Sequence, residues 1–216
     1  MKVADLYDYD EVRAEPTATL YVTSLKEPAL VLGGNQSPEV LNEERTRVPL
    51  RRRRGGGGLV LLRPGDLWLD WWIPSDDPRW RQDVRASSIL VGTWWASVLR
   101  SRTSHAVHVH EGALEGDVAQ RVVCFAGRGP GEVIVNDRKA VGLTQWRVRE
   151  GVFVSTVLHG GASNDVVAYL AEVPPGLEDA LDHHTLTSLD IEDARYVIDA
   201  LVAASAPADV RFRRLT

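Results

Sequence analysis

Short apolar stretches separated by turn signals run along almost the whole chain, and only residues 78–100 have the periodicity of a long helix. In that segment Val84, Val91, Trp95 and Val98 recur at the spacing of one helical face. The remaining apolar stretches are rich in β-branched and aromatic residues, which predicts strands. Strands are expected near 19–24, 29–33, 59–62, 67–73, 105–110, 121–125, 132–135, 140–147 and 152–158, and further helices at 165–173 and at 190–204 with Asp190 as N-cap. This order of elements predicts an α/β (α+β) fold.

Length, charge and cysteine content narrow the class of protein. The 216 residues suffice for one α/β domain, which we expect to span 1–216. A net charge of −5 argues against a general nucleic-acid or anionic-membrane binder, because such proteins need a basic excess. Neither a membrane-spanning stretch nor a signal peptide is expected, since no long apolar run occurs. Cys124 is the only cysteine and fits a reducing compartment, so we expect a cytoplasmic protein.

Four arginines followed by four glycines occupy residues 51–58, directly before an apolar strand. Glycines let the backbone approach a ligand closely, and exposed N–H groups with flanking guanidiniums suit a carboxylate or a phosphate. The alternative is a flexible surface loop with a solvated charge run, which a glycine run taken alone favours. The acidic total argues against a third interpretation, a nucleic-acid patch.

Two further residues carry chemistry in the second half of the chain. Lys139 follows the turn residues Asn136 and Asp137, where its ammonium could reach into a pocket and polarise an acyl carbonyl. Cys124 could be a nucleophile beside a cation. The alternatives are an exposed surface lysine and a buried cysteine that acts as a small apolar residue. His108 and His110 share one face of a predicted strand but lack a third ligand, so no metal site is expected.

Taken together and in this order, these motifs resemble the lipoate–protein ligase A and octanoyltransferase family, the catalytic-domain family of biotin and lipoate protein ligases. The first family motif is matched by Arg52, Arg53, Gly56, Gly57 and Gly58. The second is matched by Arg138, Lys139, Gly142, Gln145 and Arg147, and the segment 28–36, ending at Gln36, is similar to a strand of the family. The resemblance spans about residues 28–175.

The resemblance implies a fold, a reaction and a set of partners. The fold would be a mixed β-sheet with flanking helices, and the reaction the attachment of a lipoyl or octanoyl group to a lysine of a carrier domain. The implied carriers are lipoyl domains of 2-oxoacid dehydrogenases or the glycine cleavage H protein, with an acyl carrier protein or an accessory subunit as a further partner. The implied catalytic residues are Lys139 and Cys124. The implied substrate-binding residues are Arg52, Arg53, Gly56, Gly57, Gly58, Gly142 and Gln145.

The resemblance leaves two chemistries open. In cysteine-dependent octanoyltransferases a Cys-Phe pair lies fifteen residues before the motif lysine, as Cys124 does here, and Glu132 falls in register. That spacing implies an acyl-enzyme, and we expect no C-terminal accessory domain of the kind found in long ligases. A Cys-Phe pair also occurs in relatives named as ligases, which would use ATP with Mg²⁺ to activate lipoate or octanoate.

Several positions depart from the family pattern. Gly55 replaces a serine or threonine, Leu59 replaces a small residue, and Thr156 stands where a histidine is expected. These departures keep open an alternative, a non-catalytic member that binds acyl groups or a partner. Near the motifs, Trp68, Trp71 and Trp72 predict either the wall of an acyl tunnel or ordinary core packing.

Overall fold

The computed structural model describes residues 2–117, 121–159, 164–184 and 194–215, and two β-sheets form its centre. The strands, in chain order, are β1 (Ala4–Asp5), β2 (Thr19–Leu25), β3 (Ala29–Leu32), β4 (Leu50–Arg52), β5 (Val60–Leu62), β6 (Leu67–Pro74), β7 (Val107–Val109), β8 (Val133–Val135), β9 (Arg138–Val148), β10 (Gly151–Leu158) and β11 (Asp209–Leu215). The helices are α1 (Tyr9–Arg13), α2 (Val84–Arg100), α3 (Leu177–His184) and α4 (Ala194–Ser205), with 3₁₀ turns at Pro38–Val40, Cys124–Ala126 and Asn164–Tyr169. None of these described helices is long and apolar enough to cross a membrane.

Both sheets are mixed. The larger sheet has the order β11–β2–β6–β10–β9–β8–β7, and its neighbours are antiparallel except for the parallel pair of β11 with β2. The smaller sheet has the order β1–β4–β3–β5, with β4 parallel to β1 and β3, and β5 antiparallel to β3. The predicted mixed sheet with flanking helices is therefore confirmed, divided between two sheets.

The larger sheet is covered on both faces. Successive side chains along each strand point to opposite faces and so enter two different cores. Trp68 and Trp72 of β6 point into the core shared with the smaller sheet. Trp71, between them, points into the opposite core, where its ring centroid lies 6.5 Å from that of Trp95 in α2. The tryptophan-rich strand is thus fully internal, and only Trp68 among its three tryptophans reaches the site described below.

The long helix begins later than predicted, at Val84 instead of residue 78. The side chain of Asp83 accepts a hydrogen bond from the backbone N–H of Ala86 at 2.7 Å and so caps the first turn. Before it, Asp77 and Arg79 form a local ion pair that holds the chain in turns. Val84, predicted to face the core, is 54% exposed at the mouth of a cleft.

Three other local predictions were wrong or incomplete. The predicted strand 121–125 forms no ladder: it contains an isolated bridge between Val123 and Leu59, followed by a 3₁₀ turn at Cys124–Ala126. The predicted helix 165–173 is a 3₁₀ segment that ends at Tyr169, where the next residue, Leu170, forms a bridge with Leu41; α3 follows after Pro174 and Pro175. Strand β11 was not predicted, and Asp190 lies outside the described residues.

The turn at Asn136 and Asp137 is confirmed and positions the site. Both residues have positive φ values, 49° and 60°, as a two-residue type I′ hairpin requires. Val135 pairs with Arg138 across the turn. The hairpin therefore places Lys139 at the start of β9, with its side chain buried.

Candidate active site

A cleft of about 670 Å³ lies between the glycine loop, the segment 121–132 and strand β9. Its lining includes most of the residues predicted from the motifs: Gly56, Gly57, Gly58, Cys124, Lys139 and Gln145. Residues separated by up to about 90 positions in the chain thus meet at one surface.

Lys139 is the most enclosed charged group of the cleft, with 1% of its surface exposed. Its Nζ donates hydrogen bonds to the carbonyl oxygens of Cys124 at 2.6 Å and Gly127 at 3.1 Å. The same atom lies 3.8 Å from the Cys124 Sγ and 4.9 Å from the centroid of the Phe125 ring. The ammonium is therefore fixed beside the only thiol of the chain.

Glu132 is the counter-ion of Lys139. Its Oε1 lies 2.6 Å from Nζ, and both side chains are almost completely buried. The carboxylate also accepts backbone hydrogen bonds from Gly129 at 2.7 Å and Leu143 at 3.3 Å. Burial raises the pKa of Glu132, while the Lys139 ammonium and these hydrogen bonds oppose the rise. The sequence had marked Glu132 only by its register, not as a partner of the lysine.

Cys124 is held by the end of the glycine loop. Its backbone N–H donates to the Leu59 carbonyl oxygen at 3.0 Å, and the Leu59 N–H donates to Val122 at 2.8 Å. The side chain is half-buried and faces the cleft. A Cβ added at Gly58 would lie 2.7 Å from the Cys124 nitrogen, so glycine is needed for this close approach.

Gly58→Ala is expected to destabilise the fold by about 1–3 kcal/mol, because three backbone atoms lie 2.7 Å from the added Cβ and must shift. Gly56→Ala is the matched control, since a Cβ there meets no atom within 4 Å. We expect the control to stay within about 0.5 kcal/mol of the unchanged protein. Urea unfolding of both variants measures the difference, and equal stabilities would contradict the packing described here.

Of the two adjacent arginines, Arg53 points inward. Its guanidinium is 2% exposed and donates to the carbonyl oxygens of Gly58 at 2.7 Å, Gly56 at 2.8 Å and Val31 at 3.2 Å. Burial lowers the pKa of Arg53. The side chain thus fixes the shape of the glycine loop and places a positive charge behind it.

Arg52 does not line the cleft. It donates to the carbonyl oxygens of Gly33, Gly34 and Gln36, and so closes the turn after β3. Gln36, in turn, accepts from the Gly33 N–H and donates to the Val122 carbonyl oxygen at 3.0 Å. Arg52 and Gln36 accordingly support the segment that carries Cys124.

Gly142 and Gln145 lie on β9 and have different surroundings. A Cβ at Gly142 would lie 2.9 Å from the Phe125 ring and 3.4 Å from the Lys139 Cε, so glycine makes room for both. Gln145 donates to the Val84 carbonyl oxygen and the Ser88 hydroxyl, each at 2.7 Å. It therefore ties β9 to the first turn of α2.

Thr144 is a site residue that the motifs missed. Its hydroxyl donates to the Gly56 carbonyl oxygen at 2.9 Å. A Cβ at Gly55 would lie only 2.7 Å from this hydroxyl, so Thr144 occupies the space that a larger residue 55 would need. Where the family pattern has a serine or threonine at position 55, this chain has glycine, and the hydroxyl of Thr144 on β9 lies in the space beside it.

A second, much smaller hollow adjoins Cys124 on the sheet side. Its volume is about 10 Å³, against about 670 Å³ for the cleft, and the hollow has room for about one water molecule. Its lining is mostly apolar and consists of Arg53, Val60, Trp68, Cys124, Gly142, Leu143, Thr144, Ser155, Thr156 and Val157.

Asp70 is buried beneath this hollow and accepts three hydrogen bonds. The donors are the Tyr7 hydroxyl at 2.5 Å, the Trp68 indole at 2.6 Å and the Thr156 N–H at 3.2 Å. Burial is the main cause that raises the pKa of Asp70 from 3.8 to about 6. Thr156 also joins this network, because its hydroxyl accepts from Trp95 and donates to Leu69.

The raised pKa predicts a pH-dependent stability. Between about pH 4 and pH 6 the folded protein holds the Asp70 proton more tightly than the unfolded chain, so the contribution of this group to stability falls as the pH rises. We expect the free energy of unfolding to fall between pH 4 and pH 7 by about 2–3 kcal/mol more in the unchanged protein than in Asp70→Asn. Urea unfolding at both pH values tests this, and parallel pH profiles would disprove it.

His105, His108, His110 and His159 do not line the cleft. The His159 Nδ1 lies 3.1 Å from the Asp66 carboxylate, and its ring packs at a tilt of 49° against Phe125, at a centroid distance of 4.2 Å. Within the described residues no three His, Cys, Asp or Glu side chains are grouped so that they could hold a metal ion.

The cleft also presents cations that suit an anionic ligand. Arg85, Arg121 and Arg128 belong to its lining together with one further acid, Glu115. Arg85 and Arg128 are oriented by hydrogen bonds to the carbonyl oxygens of Glu111 and Asp137, respectively. The open main chain at Gly56 lies on the same surface.

Comparison with solved structures places the fold. It is similar to a lipoate-protein ligase A bound with ATP (17% identity, TM-score 0.66, covering 100% of this chain and 89% of that chain). It is also similar to a putative lipoate protein ligase from T. acidophilum with bound lipoic acid (16% identity, TM-score 0.66, covering 100% and 89%). A third match comes from a structural analysis of an archaeal lipoylation system, a bi-partite lipoate protein ligase and its E2 lipoyl domain from Thermoplasma acidophilum (16% identity, TM-score 0.68, covering 96% and 80%). At these identities the likeness shows the fold.

Family comparison confirms the resemblance drawn from the motifs. Comparison with curated proteins gave no match. The model of the lipoyl protein ligase A/B catalytic domain, however, matches residues 5–175, which is most of the chain. The protein is therefore a member of the lipoyl protein ligase A/B catalytic-domain family.

Proposed function

We propose that this protein transfers an acyl group of the lipoyl or octanoyl class to a lysine of a lipoyl carrier domain through a thioester on Cys124. The observation that carries the proposal is the buried Lys139 ammonium, 3.8 Å from the Cys124 Sγ in the wall of a cleft. A cation beside a thiol stabilises the thiolate, which is the nucleophilic form. The family match supports an enzyme of the lipoate–protein ligase type.

In the first step the Cys124 thiolate attacks the carbonyl carbon of an acyl thioester. The bond from that carbon to Sγ forms, the bond to the donor sulfur breaks, and the donor thiol leaves with the proton released from Cys124. Negative charge develops on the carbonyl oxygen during the attack. The Lys139 ammonium lies 3.8 Å from Sγ and would stabilise that oxygen.

In the second step the amine of a carrier lysine attacks the Cys124 thioester. The amide bond forms, the carbon–sulfur bond breaks, and one amine proton returns to the sulfur. Glu132 holds Lys139 in place throughout, since its carboxylate lies 2.6 Å from Nζ and is itself held by two backbone N–H groups. No oxidant or metal is needed in either step.

An ATP-dependent ligation is the second candidate, favoured by Arg85, Arg121 and Arg128 in the cleft. These side chains and the open main chain at Gly56 fit a polyphosphate. When bound, ATP would activate the acyl carboxylate, and Mg²⁺ would accompany its phosphates. Lys139 would then face the acyl carbonyl or a phosphate.

The proposed partners follow from the reaction. The acceptor would be a lipoyl domain of a 2-oxoacid dehydrogenase or the glycine cleavage H protein, and the donor an acyl carrier protein. A solved relative is a bi-partite ligase described together with its E2 lipoyl domain, which supports such an acceptor and makes an accessory subunit a second proposed partner. We place the reaction in the cytoplasm.

Incubation with an apo lipoyl domain tests the proposal. One reaction contains an octanoyl carrier protein without ATP, and the other contains lipoate with Mg²⁺ and ATP; the mass of the lipoyl domain is then measured. Octanoylation without ATP is the expected result. Modification only with ATP would overturn the thioester route in favour of the second candidate. If neither reaction proceeds, both are contradicted, and a non-catalytic acyl- or partner-binding protein is the remaining interpretation.

A further inference from the structure

The thioester route leaves three arginines of the cleft without a role. Arg85, Arg121 and Arg128 belong to the lining, whereas the bond changes proposed above involve only Cys124 and Lys139. Arginine in the wall of a cleft suits a carboxylate or a phosphate, because its guanidinium offers several N–H donors to one anion. An anion that enters the cleft together with the acyl group would account for all three.

The cleft has a positive excess that the chain as a whole does not share. Its lining holds four cationic and two acidic side chains, of which Lys139 and Glu132 neutralise one another at 2.6 Å. Three guanidiniums and one carboxylate, Glu115, remain, on a protein with a net charge of −5. Among the residues that the structure describes, none of these three guanidiniums forms an ion pair. This local excess favours an anionic ligand.

Two of the guanidiniums are oriented by the main chain and still have donors for a ligand. Arg85 donates from one nitrogen to the carbonyl oxygen of Glu111, and Arg128 donates from one nitrogen to that of Asp137. Within the described residues, the enclosed Nε of Arg128 has no hydrogen-bond partner. A buried donor without an acceptor costs free energy, so an oxygen atom of a bound anion would stabilise it.

The rest of the lining fits a ligand that has both a phosphate and an apolar part. No atom lies within 4 Å of a Cβ added at Gly56, so the main chain of the glycine loop is open there and can bind phosphate oxygens. Val84 and Leu114 are 54% and 58% exposed and line the same cleft, which gives a hydrocarbon a surface to cover.

Activated acyl groups commonly travel on an arm that carries such a phosphate. In coenzyme A and on carrier proteins the acyl group is bound to the sulfur of a pantetheine arm, whose other end is a phosphate ester. To bring the acyl carbon to the Cys124 Sγ, this arm has to enter the cleft that also contains the arginines. A volume of about 670 Å³ is in the range of sites that enclose a ligand of this size.

We infer that Arg85, Arg121 and Arg128 bind the phosphate of a phosphopantetheine thioester, so that the acyl donor is recognised through its arm. The phosphate takes no part in the bond changes. The Cys124 sulfur replaces the sulfur of the arm on the acyl carbon, and the arm leaves as a thiol with the proton from Cys124. This inference rests on the proposed function and deepens it by naming the donor class: acyl phosphopantetheine, either free, in coenzyme A or on a carrier protein.

Arg100 provides a matched control on the same helix. Arg85 and Arg100 lie at opposite ends of α2, both are exposed, and each donates to a carbonyl oxygen outside the helix, that of Glu111 and that of Val107, respectively. Of the two, only Arg85 lines the cleft. Arg85→Met and Arg100→Met therefore remove the same charge and a similar hydrogen bond. Arg121→Met tests the site a second time if Arg85→Met does not fold.

The test compares octanoyl phosphopantetheine with octanoyl pantetheine, which lacks only the phosphate. The rate of Cys124 acylation is measured by intact mass, without ATP and with each donor below saturation. We expect the unchanged protein to favour the phosphorylated donor by about 100-fold, and Arg85→Met and Arg121→Met each to lower this preference by about tenfold, since a hydrogen bond to a charged group contributes about that factor. Arg100→Met should keep the original preference.

Two results would overturn the inference while leaving the proposed function intact. One is equal acylation of the unchanged protein by both donors, and the other is an unaltered preference in folded Arg85→Met and Arg121→Met. Absence of a Cys124 adduct with either donor would instead remove the thioester route itself, and the inference with it. If lipoate with Mg²⁺ and ATP then modifies an apo lipoyl domain and Arg85→Met slows that reaction, the phosphate that the arginines bind is that of ATP.

Discussion

Cys124→Ser is expected to lower the rate of acyl transfer from a thioester donor by about 10³-fold or more, the scale seen when a covalent nucleophile is removed. The physical reason is that a serine hydroxyl is a far weaker nucleophile toward a thioester than a cysteine sulfur. The substitution is nearly isosteric. The hydrogen bonds that hold this residue use its backbone N–H and carbonyl oxygen, so the fold should be kept.

The measurement is the initial rate of lipoyl-domain acylation without ATP, together with a thermal unfolding curve of the variant. An unchanged unfolding midpoint with a lost rate assigns the effect to the sulfur. Transfer within about fivefold of the unchanged protein would contradict a covalent role for Cys124 and direct attention to Arg85, Arg121 and Arg128 in the cleft.

Lys139→Met is expected to have two large effects. Loss of the charge that faces the reacting carbonyl should lower the transfer rate by about 10²–10³-fold. The same change leaves Glu132 buried without its counter-ion, which should destabilise the fold by about 3–5 kcal/mol, since both side chains are almost fully enclosed. Transfer rate and urea unfolding are therefore measured on the same preparation.

A double variant separates the two effects. In Lys139→Met with Glu132→Gln the buried pair is neutral, so most of the lost stability should return while transfer stays low. Lys26→Met is the matched control, because Lys26 is exposed and does not line the cleft. Recovery of transfer in the double variant would mean that Lys139 acts only on stability and would exclude its proposed role at the acyl carbonyl.

The sequence could predict those parts of the site that local chemistry encodes. The Asn136–Asp137 pair adopts the positive φ values of a tight hairpin, and this alone brings Lys139 to the start of a strand. The spacing between Cys124 and Lys139, interpreted through the family resemblance, correctly indicated that the two side chains meet. The glycine run was predicted to approach a ligand, and the structure adds a close approach within the chain, of Gly58 to the backbone of Cys124.

Features that depend on long-range packing were not predictable in the same way. Four consecutive arginines look alike in sequence, and only the strand pairing decides that Arg53 is buried while Arg52 closes a turn. Residues 121–125 have β-forming side chains, yet their pairing is limited to one bridge with Leu59, and the chain then enters a 3₁₀ turn at Cys124–Ala126. The role of Thr144 at Gly55 requires knowledge of which strand lies opposite.

Strand β11 and the buried Asp70 were likewise not predictable from the local sequence. Strand β11 has alternating charged residues and one exposed aromatic, Phe212, because it forms an edge of the sheet and buries little of its surface. Its sequence therefore lacks the apolar signal of an internal strand. Asp70 is the converse case, a carboxylate inside a run of apolar residues whose partners, Tyr7 and Thr156, are distant in the chain.

The central claim is that Cys124 carries the acyl group as a thioester beside Lys139. Its most direct test is the intact mass of the purified protein after mixing with octanoyl carrier protein, in the absence of ATP. We predict an octanoyl adduct that hydroxylamine removes and that Cys124→Ser does not form. Absence of an adduct, or an adduct that persists in Cys124→Ser, would contradict the account.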